Sequence, residues 1–119
     1  MSRWLDALAI AQGVYYLATG VWPLVGIRSF EVVTGPKTDL WLVRTVGVLI
    51  AVIGVALLAA GVRGAVTPEI VILAAGSAAG LAAIDVVYAA VGRISRIYLL
   101  DAVPEALLAL VWIVAAFVR

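Results

Sequence analysis

The chain has 119 residues, of which 66% are hydrophobic and only 13% charged, and its mean hydropathy is +1.24. A water-soluble domain carries about 45–50% apolar and about 25% charged residues, so this composition cannot clothe a water-facing surface and points to the bilayer as solvent. With no Cys, no His and Met1 as its one methionine, the chain has no means for disulfides, thiolate catalysis, zinc or iron–sulfur centres, His- or Met-ligated haem, or His-based proton transfer. No cofactor is expected. A net charge of +1 from scattered basic residues offers nucleic acid no electrostatic footprint.

Four apolar runs follow one another: Leu5–Gly26, Asp39–Val62, Glu69–Gly92 and Asp101–Val118. At 1.5 Å per residue they are about 27–36 Å long, which matches a hydrocarbon core of about 30 Å. The expected architecture is all-α, a polytopic membrane protein with a bundle of four transmembrane helices and one domain over residues 1–119.

Asp6 interrupts the start of the first run, the stretch from Ala7 to Ile27 is uncharged, and no small-residue cleavage site follows it. The run therefore reads as a retained helix rather than a signal peptide. Pro23 is expected to end or kink it near Trp22. Ile27–Thr38 is then the longest connection, closed by a turn at Thr34-Gly35-Pro36-Lys37-Thr38. The second run opens on Asp39 and carries Gly47, Gly54 and Gly61 at intervals of seven. Thr67-Pro68-Glu69 reads as a cap, a proline at the first helical position and an acid in the first turn of the third helix. That helix contains Gly76-Ser77-Ala78-Ala79-Gly80, flanked by Ala75 and Ala83. Such small-residue faces let helix backbones approach closely in membranes. In the fourth run Asp101 can cap, and Pro104 lies in the first turn, where it costs little.

The charges are distributed unevenly. With four spans the termini share one side with the second loop, where Arg3, Arg63, Arg119, Asp6 and Glu69 fall. The first and third loops share the other side with Arg28, Lys37, Arg44, Arg93, Arg96, Glu31, Asp39, Asp85, Asp101 and Glu105. The excess of basic residues makes this second side cytoplasmic, with the termini outside. The expected location is a prokaryotic cell membrane.

Arg44, Asp85 and Glu105 lie about 6–11 Å inside the predicted boundaries. Charges at that depth are expensive unless they face inward and pair. The polar stripe continues through Gln12, Tyr15, Tyr16 and Thr19 on the first helix, through Tyr88 beside Asp85, and through Asp101 beside Glu105. These residues are expected to line a one-sided polar pocket: Arg44, Asp85, Glu105, Tyr88, Gln12, Tyr16 and Asp101, with Arg28, Arg93 and Arg96 at its rim. A plainer alternative gives the Arg–carboxylate pairs the task of fixing helix register and gives the interfacial Arg residues to lipid phosphates. Trp4, Trp22, Trp41 and Tyr98 read as an interfacial belt, and Trp112 as packing.

Three functions fit such a pocket. Transport of a small ligand or ion is the first, since carboxylates inside a span are suited to binding and releasing protons or ions. An accessory subunit of a larger membrane complex, or a homo-oligomer, is the second, and the small-residue faces suit it. The third is an intramembrane enzyme on a lipid-like substrate, with Asp85, Glu105 or Tyr88 as acid or base and Arg44 stabilising negative charge. Mg²⁺ on Asp85, Asp101 and Glu105 is conceivable for oxygen ligands, but Arg44 argues against it, and no metal is expected. No spacing matches a catalytic motif, so catalytic residues stay unassigned. The bilayer is the partner the composition requires.

Overall fold

The computed structural model describes residues 3–37 and 39–118, and 85% of the described residues are helical, with no strand among them. Five helices follow in order: α1 (Arg3–Val25), α2 (Ile27–Thr34), α3 (Leu40–Val62), α4 (Pro68–Ala90) and α5 (Tyr98–Val118). All except α2 are long and apolar enough to cross a membrane. The protein is an all-α membrane protein with four candidate spans. The helices fall into two compact units, Met1–Thr67 and Pro68–Arg119.

Helix ends follow local chemistry. Gly64 (φ +64°) and Gly92 (φ +77°) take up the left-handed backbone just past α3 and α4. In each case the next amide reaches back five residues, Ala65 N to Ala60 O at 2.8 Å and Arg93 N to Tyr88 O at 2.9 Å. Both closures satisfy carbonyls that a helix end would otherwise leave bare in the membrane boundary. Pro68 opens α4 as expected. Pro23 does not end α1 near Trp22; the helix runs on to Val25 and Pro23 is buried within it.

The connection expected over Ile27–Thr38 contains a helix of its own, α2. Gly26 breaks the chain between α1 and α2, and Trp22 spans the elbow. Its Nε1 donates to Ser29 Oγ at 2.9 Å, and its ring meets Phe30 edge-on at 5.2 Å. The far end of α2 is closed by Lys37. Its ammonium donates to Thr34 O, Thr34 Oγ1 and Gly35 O at 2.8–3.1 Å, while its amide donates to Glu31 Oε2 at 3.0 Å. A cation at a helix C-terminus complements both the free carbonyls and the helix dipole. The sequence offered no apolar period long enough to reveal so short a helix.

Within the first unit α1 and α3 pack antiparallel along their glycines. An added Cβ on Gly13 would lie 2.6 Å from Leu58 N and 2.7 Å from Gly54 O; one on Gly54 would lie 2.6 Å from Leu17 N and 2.7 Å from Gly13 O. Gly20 and Gly47 oppose one another in the same way, and a Cβ on Gly61 would meet Asp6 O at 2.6 Å. Asp6, Gly13 and Gly20 on α1 thus match Gly61, Gly54 and Gly47 on α3, both at intervals of seven. Glycine at five of these six positions removes the Cβ and allows backbone-on-backbone contact, the packing that holds helices together where lipid supplies no hydrophobic drive.

In the second unit α4 packs on α5 with a different set of small residues. Ala74, Ala78, Asp85 and Ala89 are buried on α4, and Ala102, Glu105, Ala109, Trp112 and Ala115 on α5. Small residues make up much of the interior of both units, beside the large Tyr16, Leu57 and Trp112, while Leu49, Val52, Ile72, Val103, Leu107 and Phe117 stand outward at 57–87% exposure. This inversion of size is what lipid solvent allows, because large apolar side chains have no need of shelter from it.

Candidate functional site

The hydroxyl-bearing residues of the spans are largely occupied by their own helices. Thr19 Oγ1 bonds Tyr15 O at 2.9 Å, Thr45 Oγ1 bonds Trp41 O at 2.8 Å, and Ser77 Oγ bonds Leu73 O at 2.6 Å. A donor with no water nearby turns to the carbonyl one turn back. Thr19 is thereby spent on α1 itself.

The carboxylates behave differently. The buried positions of α4 and α5 recur at three-, four- and seven-residue steps, and Asp85 and Glu105 occupy two steps that are otherwise alanine apart from Trp112. Asp85 is 5% exposed and Glu105 2%. Asp101, half-buried one turn before Glu105, hydrogen-bonds to Asp85, and Glu105 is close enough to Asp85 to interact electrostatically. At 1.5 Å per residue, Asp85 sits about 7 Å from the C-terminal end of α4, and Glu105 about 10 Å beyond the start of α5. The antiparallel hairpin brings these depths together.

One oxygen of this group, Asp85 Oδ2, is buried with no hydrogen-bond partner. A buried acceptor without a donor costs about 1–3 kcal/mol, and more if it is charged. Structures retain such a group for a reason. Among the described residues no cluster of three or more acidic, His or Cys side chains has the arrangement of a metal-ion site.

The remaining sequence candidates are placed as follows. Arg44 lies on α3 in the first unit, and its side chain is exposed. Gln12 and Tyr16 are wholly buried on one stripe of α1, and Tyr15 is half-buried with its ring 6.0 Å from that of Tyr16. Tyr88 is 46% exposed, although Asp85 one turn earlier is buried. Arg28, Arg93 and Arg96 are exposed. Trp4 and Trp41 are exposed near helix ends, and Trp112 is fully buried.

Two features escaped the sequence reading. Asp6 has a buried oxygen, Oδ1, without a hydrogen-bond partner. The interval of seven from Ala78 to Asp85, continued by Ala102 and Ala109 around Glu105, was the signal that these acids share a packing seam. No family profile, characterised protein or solved structure matches this chain.

Proposed function

We propose that the protein handles a small ligand or ion at an intramembrane polar site on one side of the bilayer, and that its activity is transport. The observation that carries this reading is Asp85: an acid 95% removed from solvent, bonded to a second acid, near a third, and still holding an unpartnered oxygen. Ionisable groups are rare inside spans and mark ligand, ion or proton pathways when they occur. By the excess of basic residues on the first and third loops, the site opens toward the cytoplasm.

Thermal stability of Asp85→Asn and Glu105→Gln in detergent tests the reading. Charges kept for function are held at a cost, so removing them leaves stability unchanged or raises it. If the acids served instead as a structural staple, each variant would lose about 3–5 kcal/mol, the loss expected when a buried charge network is broken.

A second reading, an accessory subunit of a larger membrane complex, draws on one face of α4. Gly76 and Gly80 are exposed, with nothing within 4 Å of an added Cβ. Purification from its native membrane separates the two: a transporter comes out as one defined oligomer of this chain, an accessory subunit with a stoichiometric partner.

A further inference from the structure

We propose that α2 is an interfacial helix, which lies flat in the headgroup layer beside α1 and α3. It holds an anionic phospholipid headgroup at Arg28 and sets Val32 and Val33 among the upper acyl chains. The acids of α4 and α5 play no part in this.

Placement comes from the chain itself. Gly26 alone separates α2 from α1, and α3 starts at Leu40. Both neighbours are long and apolar enough to cross a membrane, so a segment tied this closely to them stays at the membrane boundary. Nor does α2 continue the axis of α1. Seven and eight residues along a straight helix are about 10 and 12 Å apart. Yet Trp22 Nε1 lies 2.9 Å from Ser29 Oγ, and the Trp22 ring 5.2 Å from that of Phe30. The elbow at Gly26 therefore turns α2 across the end of a spanning helix, which is to say toward the plane of the membrane. Trp22, at the elbow, is a residue suited to that level.

The eight residues of α2 divide into two faces. Ile27, Phe30, Glu31 and Thr34, at three- and four-residue steps, are half-buried or buried, whereas Arg28, Ser29, Val32 and Val33 are exposed. The inner face is fastened to its own unit. Phe30 packs on Trp22, Glu31 Oε2 accepts the Lys37 amide at 3.0 Å, and Thr34 Oγ1 accepts the Lys37 ammonium at 3.1 Å. The outer face is not one that water would select. Val32 is 85% exposed and Val33 47%, and Val25 at the end of α1 extends the apolar surface.

Arg28 is the one charge on that outer face, since Glu31, the acid of α2, lies on the inner one. Valines and a single cation turned outward match the boundary between headgroups and acyl chains. An amphipathic helix sinks its apolar face about 5–10 Å into that layer. The methylenes of Arg28 can then lie among the acyl chains while its guanidinium reaches a phosphate. A zwitterionic headgroup offers that phosphate together with a competing ammonium. An anionic headgroup offers it alone and is favoured.

The chain contains no cysteine, so Val32→Cys carries a fluorophore at one defined position. The full-length protein is placed in vesicles of phosphatidylcholine and phosphatidylglycerol, with Val52→Cys, outward on α3, as the reference inside a span. The Val32 label should be shielded from aqueous iodide and quenched by lipids brominated near the top of their acyl chains. Brominated phosphatidylglycerol should be favoured about fivefold over brominated phosphatidylcholine at this label, as one arginine near a phosphate layer provides. Arg28→Gln should bring the two lipids close to equal, and Arg28→Lys should keep most of the preference. Free access of iodide to the Val32 label, or a depth equal to that of Val52, overturns the interfacial helix. Equal quenching by the two lipids with Arg28 in place, or a preference that survives Arg28→Gln, overturns the headgroup site. A label shielded from both iodide and brominated lipid is covered by protein, and that too overturns the proposal.

Discussion

The two units solve the same packing problem in opposite ways. Each contains a pair of antiparallel spans with small residues between them. In Met1–Thr67 the pair α1–α3 places glycine against glycine, and backbone atoms fill the space that any Cβ would need. In Pro68–Arg119 the pair α4–α5 uses alanine, keeps its own glycines out of contact, and puts two acids into the seam. The first pair is arranged for close and permanent contact. The second accepts buried charge and an unpaired acceptor, both of which oppose packing. Local rules broken at one place and kept at another mark where function is to be sought, and that contrast favours the α4–α5 hairpin as the working part.

The largest effect expected from breaking this contrast lies in the glycine seam. Gly54→Ala pushes a methyl group into Leu17 N and Gly13 O, which are backbone atoms and have no rotamer to yield. Overpacking of a tight core costs about 1–3 kcal/mol, and a backbone obstacle puts this substitution at the upper end or beyond. Gly13→Ala, opposite it, should cost as much, and the double variant less than the sum, because α1 and α3 need to part only once. Unfolding in detergent followed by circular dichroism measures both. A wild-type midpoint for either variant would show that the seam is not closed.

The acids come next, with the sign reversed. Asp85→Asn removes a buried acid that holds an unpartnered oxygen, so stability should hold or rise by about 1 kcal/mol. A variant that gains stability while losing ligand response separates function from folding in one protein. A loss of several kcal/mol would instead make the second unit a staple, no different in purpose from the first.

How much of this was legible beforehand depended on the kind of signal. The four spans were readable because twenty apolar residues have one common explanation in a chain this poor in charge. The ends at Val62 and Val118 match and the others differ by one to three residues, while Pro23, expected to end or kink the first helix near Trp22, lies buried inside an α1 that runs on to Val25. The glycine repeat on α3 was visible, but its partner was not: Gly13 and Gly20 on α1 become a matching repeat only when Asp6 is counted through its backbone carbonyl. Asp85, Asp101 and Glu105 were found together because depth and helix spacing converge in a hairpin. The helix α2 was hidden because its order comes from side-chain contacts, Trp22 with Ser29 and Phe30, and Lys37 with the last carbonyls.

That elbow provides a smaller test, confined to one part of the first unit. Lys37→Met keeps the length of the side chain but removes the donors to Thr34 and Gly35. The half-buried ammonium should be worth about 1 kcal/mol to the end of α2. Faster amide exchange at Phe30 and Gly35, with the α1–α3 pair unaffected, is the expected reading. If the whole unit loosened, α2 would be part of the glycine-seam hairpin and not an appendage to it.

The smallest effect sharpens the comparison most. Gly80→Ala makes the same chemical change as Gly54→Ala in a span of similar hydropathy, but nothing lies within 4 Å of the new methyl group. Relief of glycine's conformational freedom then leaves a gain of up to about 1 kcal/mol. A difference of about 3–4 kcal/mol between two Gly→Ala substitutions would follow from whether a backbone stands opposite, not from the residue type. Should Gly80→Ala instead destabilise the protein purified from its membrane, something must be seated against α4 there. Chemical cross-linking from position 76 would then show whether it is a second copy of this chain, because a second copy doubles the mass and a foreign subunit does not.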